Sequence, residues 1–155
     1  MPHIHDKIDF TASAYIVYKN TVLLRKHEKY DVWLDVGGHI EPDEDPNQAV
    51  IREVKEEVGL DITLFGKALA FDDEIPKIEL IPPRFMNRHH ISPSHEHVDL
   101  VYFAKSSTDA IIEPENHEKS LGVKWFTKEE LLDPKFKLRK RVQYYALTAL
   151  EELSN

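Results

Sequence analysis

GGHIEPDEDPNQAVIREVKEEVGLDI, residues 37–62, is the stretch whose reading decides the rest of the chain. Asp45 suits a helix N-cap, Pro46 the first helical position and Gly59 the C-terminal cap. Val50, Val54 and Val58 recur at i, i+4 and i+8, with Ile51 beside them, which predicts one core-facing stripe. At about 100° per residue, Glu53, Glu56 and Glu57 fall within roughly a third of the helix circumference, on a neighbouring face. Glu53–Glu56 and Glu53–Glu57 are like-charge neighbours, each costing roughly a few tenths of a kcal/mol when exposed. The helix dipole does not help, because Glu56 and Glu57 sit in the last turn, where anions are disfavoured. Two readings follow from the triad alone. It is a solvated acidic face partly neutralised by Arg52 and Lys55, or a site for hard divalent cations that bridge to substrate phosphates.

The neighbouring segments read outward from this helix. Phe10–Tyr18 and Thr21–Arg25 predict a β-hairpin turning at Lys19-Asn20. Val32–Val36 is a short apolar strand entering Gly37-Gly38. Asp61–Phe71 reads as a strand with an internal Gly66. Asp72–Val98 is irregular, with Pro76, Pro82, Pro83 and Pro93 and four histidines; Glu79–Met86 holds a strand broken by the proline pair. His97–Ala104 and Leu121–Phe126 read as strands, with polar turns around an Ile111-Ile112 fragment between them. Thr127 and Glu130 form a capping-box pattern, and Lys137–Leu153 is a final amphipathic helix. This mixture predicts a single α/β domain over residues 1–155, with a mixed sheet and helices on its faces.

The bulk composition narrows the function. The chain has 155 residues, a net charge of −8 and no cysteine. Long nucleic acid binds through cationic contacts to phosphate, so it is not an expected partner. Disulfides and thiolate metal sites are excluded, and a reducing cytoplasm is the expected compartment. No stretch approaches the length of a membrane span or carries a signal core.

The spacing within residues 38–60 goes further. Five residues separate Gly38 from Glu44, and seven separate Glu44 from Arg52. Glu53, an aliphatic Val54, Glu56, Glu57, Gly59 and an aliphatic Leu60 follow. This resembles the complete Nudix box, the 23-residue signature of the Nudix hydrolases, with every defined position filled. The resemblance implies an α/β/α sandwich and Mg²⁺-dependent hydrolysis, with Mn²⁺ as a substitute, of a diphosphate linkage in a small nucleoside-diphosphate-linked substrate. It implies that Glu53, Glu56 and Glu57 hold metal, joined by a backbone carbonyl at Gly37 or Gly38. Arg52 would position a catalytic glutamate, and Glu44 would be structural. Other functions consistent with the resemblance are a non-catalytic nucleotide-sensing module and an RNA 5′-end pyrophosphohydrolase. A homodimer is compatible with the family, although the sequence carries no dimer signal of its own.

Outside the box, a further catalytic carboxylate is sought among Asp72, Asp73, Glu74, Glu79, Glu96 and Asp99, with Glu96 preferred because it precedes a strand. Asp99 lies within a strand and needs either solvent or a partner. His89, His90, His95 and His97 have no zinc-motif spacing. With Arg84 and Arg88 they read either as a positive lip for phosphate or ribose or as a plain surface loop. His39, inside the box's variable loop, is a candidate substrate contact. Trp33, Phe71, Phe85 and Tyr102 are core residues or base-stacking platforms. Pro76, sixteen residues after Leu60, weakly resembles a feature of ADP-sugar-hydrolysing members. The basic run Lys135, Lys137, Arg139, Lys140 and Arg141 reads as a solvated start to the last helix.

Overall fold

The structure is a computed structural model that describes residues 6–72, 74–75, 77–115 and 120–154. His3, His5, Asp73 and Pro76 lie outside the described residues.

The long strand β1 (Ile8–Tyr18) is the axis of the sheet. Along one edge it runs parallel to β7 (His95–Ser106), from Ile8 opposite Glu96 to Val17 opposite Lys105. Along the other edge it serves two antiparallel partners. Its first half takes β4 (Val36–His39), with Ala12 opposite Gly38. Its end turns at Lys19-Asn20 into β2 (Thr21–His27). Strand β2 pairs with β3 (Val32–Leu34) and β8 (Gly122–Phe126). Strand β7 carries β5 (Ile62–Leu64) and β6 (Phe85–Ser92) on its far edge. The sheet is mixed, as expected.

Strand alternation builds two cores from this one sheet. Ala12, Ala14, Ile16, Leu23, Tyr102 and Ala104 face α1 (Pro46–Val58) and meet Val50, Val54 and Val58. Tyr15, Val17, Val22, Leu24, Val101 and Phe103 face the other way, against Leu131 of the short α2 (Lys128–Leu131) and the apolar stripe of α3 (Lys140–Leu153). The result is the expected α/β/α sandwich. Helix α1 has the predicted ends: Asp45 accepts from the Gln48 N–H, the Gln48 side chain returns the bond, and Gly59 closes the helix at φ +70°. Thr127 and Glu130 cap α2 reciprocally.

Several boundaries differ from the sequence reading. Val32–Val36 is two strands rather than one, broken at Asp35. Asp61–Phe71 keeps only β5, because Gly66 takes φ +120° and turns the chain out of the sheet. The strand expected at Glu79–Met86 starts after the proline pair, since proline cannot donate to the ladder. It then runs on to Ser92, so most of the supposedly irregular histidine segment is the β6–β7 hairpin. No strand forms at Ile111-Ile112; the Ile112 N–H bonds to the Val58 carbonyl instead. The last helix begins at Lys140, because Lys137 closes a 3₁₀ turn at φ +51°. Ile51 is exposed, so the buried stripe of α1 is Ala49, Val50, Val54 and Val58.

Close packing explains the first glycine of the box. A Cβ on Gly37 would lie 2.5 Å from the Ser13 Cα and still closer to the Ala12 carbonyl, both rigid backbone of the central strand. Gly37→Ala is therefore expected to destabilise the fold by about 1–3 kcal/mol, which denaturant unfolding will measure. Stability equal to the parent chain would show that β4 can move away from β1.

Candidate active site

The polar face of α1 is organised by one guanidinium. Arg52 Nε donates to Glu44 Oε2 at 2.9 Å and Nη2 to Glu44 Oε1 at 2.6 Å, a two-pronged bond. Its Nη1 donates to Glu53 Oε1 at 3.0 Å and Glu56 Oε2 at 3.1 Å, and Nη2 also reaches the His39 carbonyl at 3.1 Å. The hydrogen bonds from Arg52 hold Glu44 below the ordinary carboxylate range. Glu44 lies between the glycines and the helix and is itself fixed by the Glu41 N–H at 3.0 Å. Glu44 is thus the main partner of Arg52, while Glu53 and Glu56 each receive a single bond.

That leaves the site short of positive charge. Burial, then the charges of Glu56 and Glu44, push Glu53 up, against the opposing pull of Arg52. Glu57 is pushed up to about 7, chiefly by burial, although the Arg25 charge and the Gly37 N–H pull it down. The carboxylate of Glu53 packs on Gly38, where a Cβ would stand 2.5 Å from Oε1. The result is a set of oxygen donors on one helix face, incompletely neutralised, beside a backbone bare of side chain. The chemistry of these donors fits a hard divalent cation.

A second acidic group lies on the α3 side of the sheet. Asp99 of β7 accepts from Thr11 Oγ1 at 3.0 Å and Ser13 Oγ at 2.8 Å. That is the partnership its mid-strand position demanded. Asp35, at the β3–β4 break, is pushed up to about 8 by burial, with Asp99 and Glu57 adding to it and Ser13 opposing. Asp99 is also raised, again mainly by burial. Sequence reasoning passed over Asp35; the available signal was an acidic residue interrupting the apolar run Val32–Val36.

The structure disperses the remaining candidates. Glu96 is buried and held by Arg88 in a short hydrogen-bonded ion pair, with Lys7 and His90 nearby; these contacts keep its carboxyl low. Arg84 is paired with Glu152 of α3 at 2.7 Å and lies over the Phe85 ring. The two arginines of the expected phosphate lip are therefore each engaged by a glutamate. Glu96, the preferred extra carboxylate, meets basic groups of the β6–β7 hairpin rather than the α1 cluster. His39 offers its carbonyl to Arg52 while its ring lies 4.8 Å from that of His97. Phe85 stacks on Tyr145, Trp33 packs edge-on to Phe126 and Tyr102 is buried, so these three are core aromatics; Phe71 is exposed.

Comparison with known proteins gives a consistent picture. The model of the NUDIX domain family matches residues 9–147. A solved hydrolase of the NUDIX family from Clostridium perfringens is 34% identical, with a TM-score of 0.82 over 94% of this chain and 98% of that one. Two curated relatives are similar over shorter stretches. The dihydroneopterin triphosphate diphosphatase of Haemophilus influenzae is 34% identical over 48% of this chain and 56% of its own length. The CTP pyrophosphohydrolase of Escherichia coli is 33% identical over 46% and 54%. The chain thus spans about half the length of the curated relatives it matches.

The raised carboxyls set the pH response of the metal-free chain. A carboxyl whose value is raised by folding keeps its proton in the folded chain where the unfolded chain has already lost it. Stability then falls as pH rises from the ordinary value toward the raised one. The window runs from 4.5 to about 7 for Glu57 and from 3.8 to about 8 for Asp35. His97, lowered to about 4 chiefly by burial, adds stability as pH rises to its ordinary 6.5, so the Tm of the EDTA-treated protein should fall most clearly between about pH 6.5 and about pH 8, by about 2–4 °C per kcal/mol lost. Asp35→Asn should flatten the upper part of the profile. A Tm that is constant or rising across this range would contradict the assignment.

Proposed function

This chain belongs to the NUDIX family, and from that premise we propose that it is a pyrophosphohydrolase using Mg²⁺, with Mn²⁺ as a substitute, acting as one domain. Its substrates are small nucleoside-triphosphate-type molecules or similar nucleoside-diphosphate-linked compounds. The observation that carries the reading is the group of Glu53, Glu56 and Glu57 sharing too little positive charge, with Arg52 anchored to Glu44. The names of the two curated relatives, both hydrolases of triphosphate compounds, favour triphosphates.

The three glutamates and the Gly38 carbonyl would hold the metal. When bound, the metal supplies Lewis-acid polarisation of phosphoryl oxygens and offsets the charge of the diphosphate. The chain's own residues do the rest. Arg52 keeps the Glu53 and Glu56 carboxylates turned toward one point, and Glu44 keeps Arg52 in place. One of the three glutamates, or a carboxylate from a later loop, takes the proton of the attacking water. Bare backbone at Gly38 leaves room for the Glu53 carboxylate. Glu96, Arg84 and Arg88 have no assigned step, because their charges are spent on one another and on Glu152. We place the enzyme in the cytoplasm, the compartment expected for a cysteine-free chain; among the described residues no helix is long and apolar enough to cross a membrane. A homodimer would have the exposed Phe65, Leu69, Phe71, Ile75 and Ile78 available to cover.

Two experiments test the reading. With Mg²⁺ and a panel of nucleoside triphosphates, dihydroneopterin triphosphate, ADP-ribose, NADH, dinucleoside polyphosphates and capped RNA, turnover is expected for triphosphates and abolished by EDTA. Hydrolysis at full rate without metal would sink the mechanism. Binding without turnover across the panel would favour the non-catalytic module, and turnover of capped RNA alone the 5′-end hydrolase. Glu57→Gln should lower kcat by on the order of 10²–10⁴ with the circular dichroism spectrum unchanged. Arg52→Lys, which cannot reproduce the fork on Glu44, should also lower kcat.

A further inference from the structure

We propose that Asp9, His95 and His97 form a second metal site, separate from the α1 carboxylates, for a borderline divalent transition-metal ion of the Zn²⁺, Co²⁺ or Ni²⁺ class. The sequence hides it because the three residues do not lie at zinc-motif spacing. The sheet brings them together. Parallel pairing sets Asp9 of β1 opposite His97 of β7, and His95 is two residues along the same face. The β6–β7 hairpin sets His89 opposite His97, and β4 sets His39 opposite Thr11, two residues from Asp9. All of these residues point to the α3 side of the sheet, past the apolar contacts of α3 itself, which end at Tyr15, Val101 and Phe85.

The geometry is that of a donor set. One ligand atom from each of Asp9, His95 and His97 lies within 4.8 Å of the others. Asp9 Oδ2 is 3.1 Å from His95 Nε2 and 3.6 Å from His39 Nε2. Bonds of about 2.0–2.1 Å in a tetrahedral zinc site place neighbouring ligand atoms about 3.3 Å apart. The Asp9–His95 pair is thus already at ligand spacing, and His97 must move inward by a small rotation. His39 flanks the set, its Nε2 near Asp9 and its ring centroid 4.8 Å from that of His97.

The donor chemistry selects the ion. Two imidazoles and one carboxylate suit Zn²⁺, Co²⁺ and Ni²⁺, whereas Mg²⁺ prefers all-oxygen sites. A purely structural account has less to offer. The His97 ring centroid lies 4.8 Å from that of His39, 5.2 Å from that of His95 and 5.9 Å from that of His89. Such rings repel one another if protonated, and a shared cation resolves the crowding. The proposal does not depend on the hydrolase reading.

The test titrates the full chain with Zn²⁺ by calorimetry, and with Co²⁺ by visible absorption, in excess Mg²⁺ to fill the α1 site. One further transition-metal ion per chain is expected. Asp9→Asn and His95→Ala/His97→Ala should each weaken it by at least roughly tenfold, with circular dichroism confirming the fold of each. Glu53→Gln/Glu57→Gln, which disables the α1 site, should leave it intact. No Zn²⁺ binding in excess Mg²⁺ would overturn the proposal and reduce the cluster to a hydrogen-bonded His95–Asp9 pair. Binding lost only with the glutamate substitutions, or only with His3→Ala/His5→Ala, would overturn it as well.

Discussion

A single arginine keeps the polar half of this fold in order. Glu44, Glu53 and Glu56 converge on Arg52, while the Arg25 charge acts on Glu57. The Coulomb balance is therefore deliberately incomplete. Glu44 is held below the ordinary carboxylate range, but Glu53 and Glu57 are pushed up, which means that folding places them where a negative charge is costly. A site in this condition carries unfavourable energy in the free chain, which a cation placed among the carboxylates would relieve.

The carboxylates stay in register because of what lies behind them. Ala12 and Ala14 of β1 are small, so Val50, Val54 and Val58 can seat α1 against the centre of the sheet. Gly37 and Gly38 then pass between strand and helix where a side chain would collide with either. The apolar stripe fixes the rotation of the helix, and the rotation fixes where Glu53, Glu56 and Glu57 point. Packing on one face of α1 thus decides the chemistry on another.

How much of this the sequence discloses varies with the range of the interaction. The ends, valine period and carboxylate spacing of α1 were legible because they are local, although Ile51 proved exposed. Cover on both faces of the sheet was legible from the apolar stripes of α1 and α3. Asp99 announced itself as a polar residue in an apolar strand, but its partners Thr11 and Ser13 lie more than eighty residues away and are joined to it only by the parallel β1–β7 pairing. Arg84 and Arg88 read as a positive lip, and nothing in the sequence shows that Glu152 and Glu96 pair with them. The histidine segment looks irregular in sequence because of its prolines, yet Pro82 and Pro83 precede β6 and Pro93 sits in the turn between β6 and β7.

The peptide joining Gly38 to His39 shows how one strand can serve two kinds of chemistry. Successive residues of a strand point to opposite faces. Gly38 lies against the Glu53 carboxylate on the α1 side, and the ring of His39 lies against His97 on the α3 side. The His39 carbonyl, in the plane of the sheet, accepts from Arg52. Hard oxygen donors and imidazoles are thereby separated by the thickness of one sheet, while a single backbone residue touches both groups. Movement of β4 would nevertheless be felt on both faces, since Arg52 is anchored to the strand that carries His39.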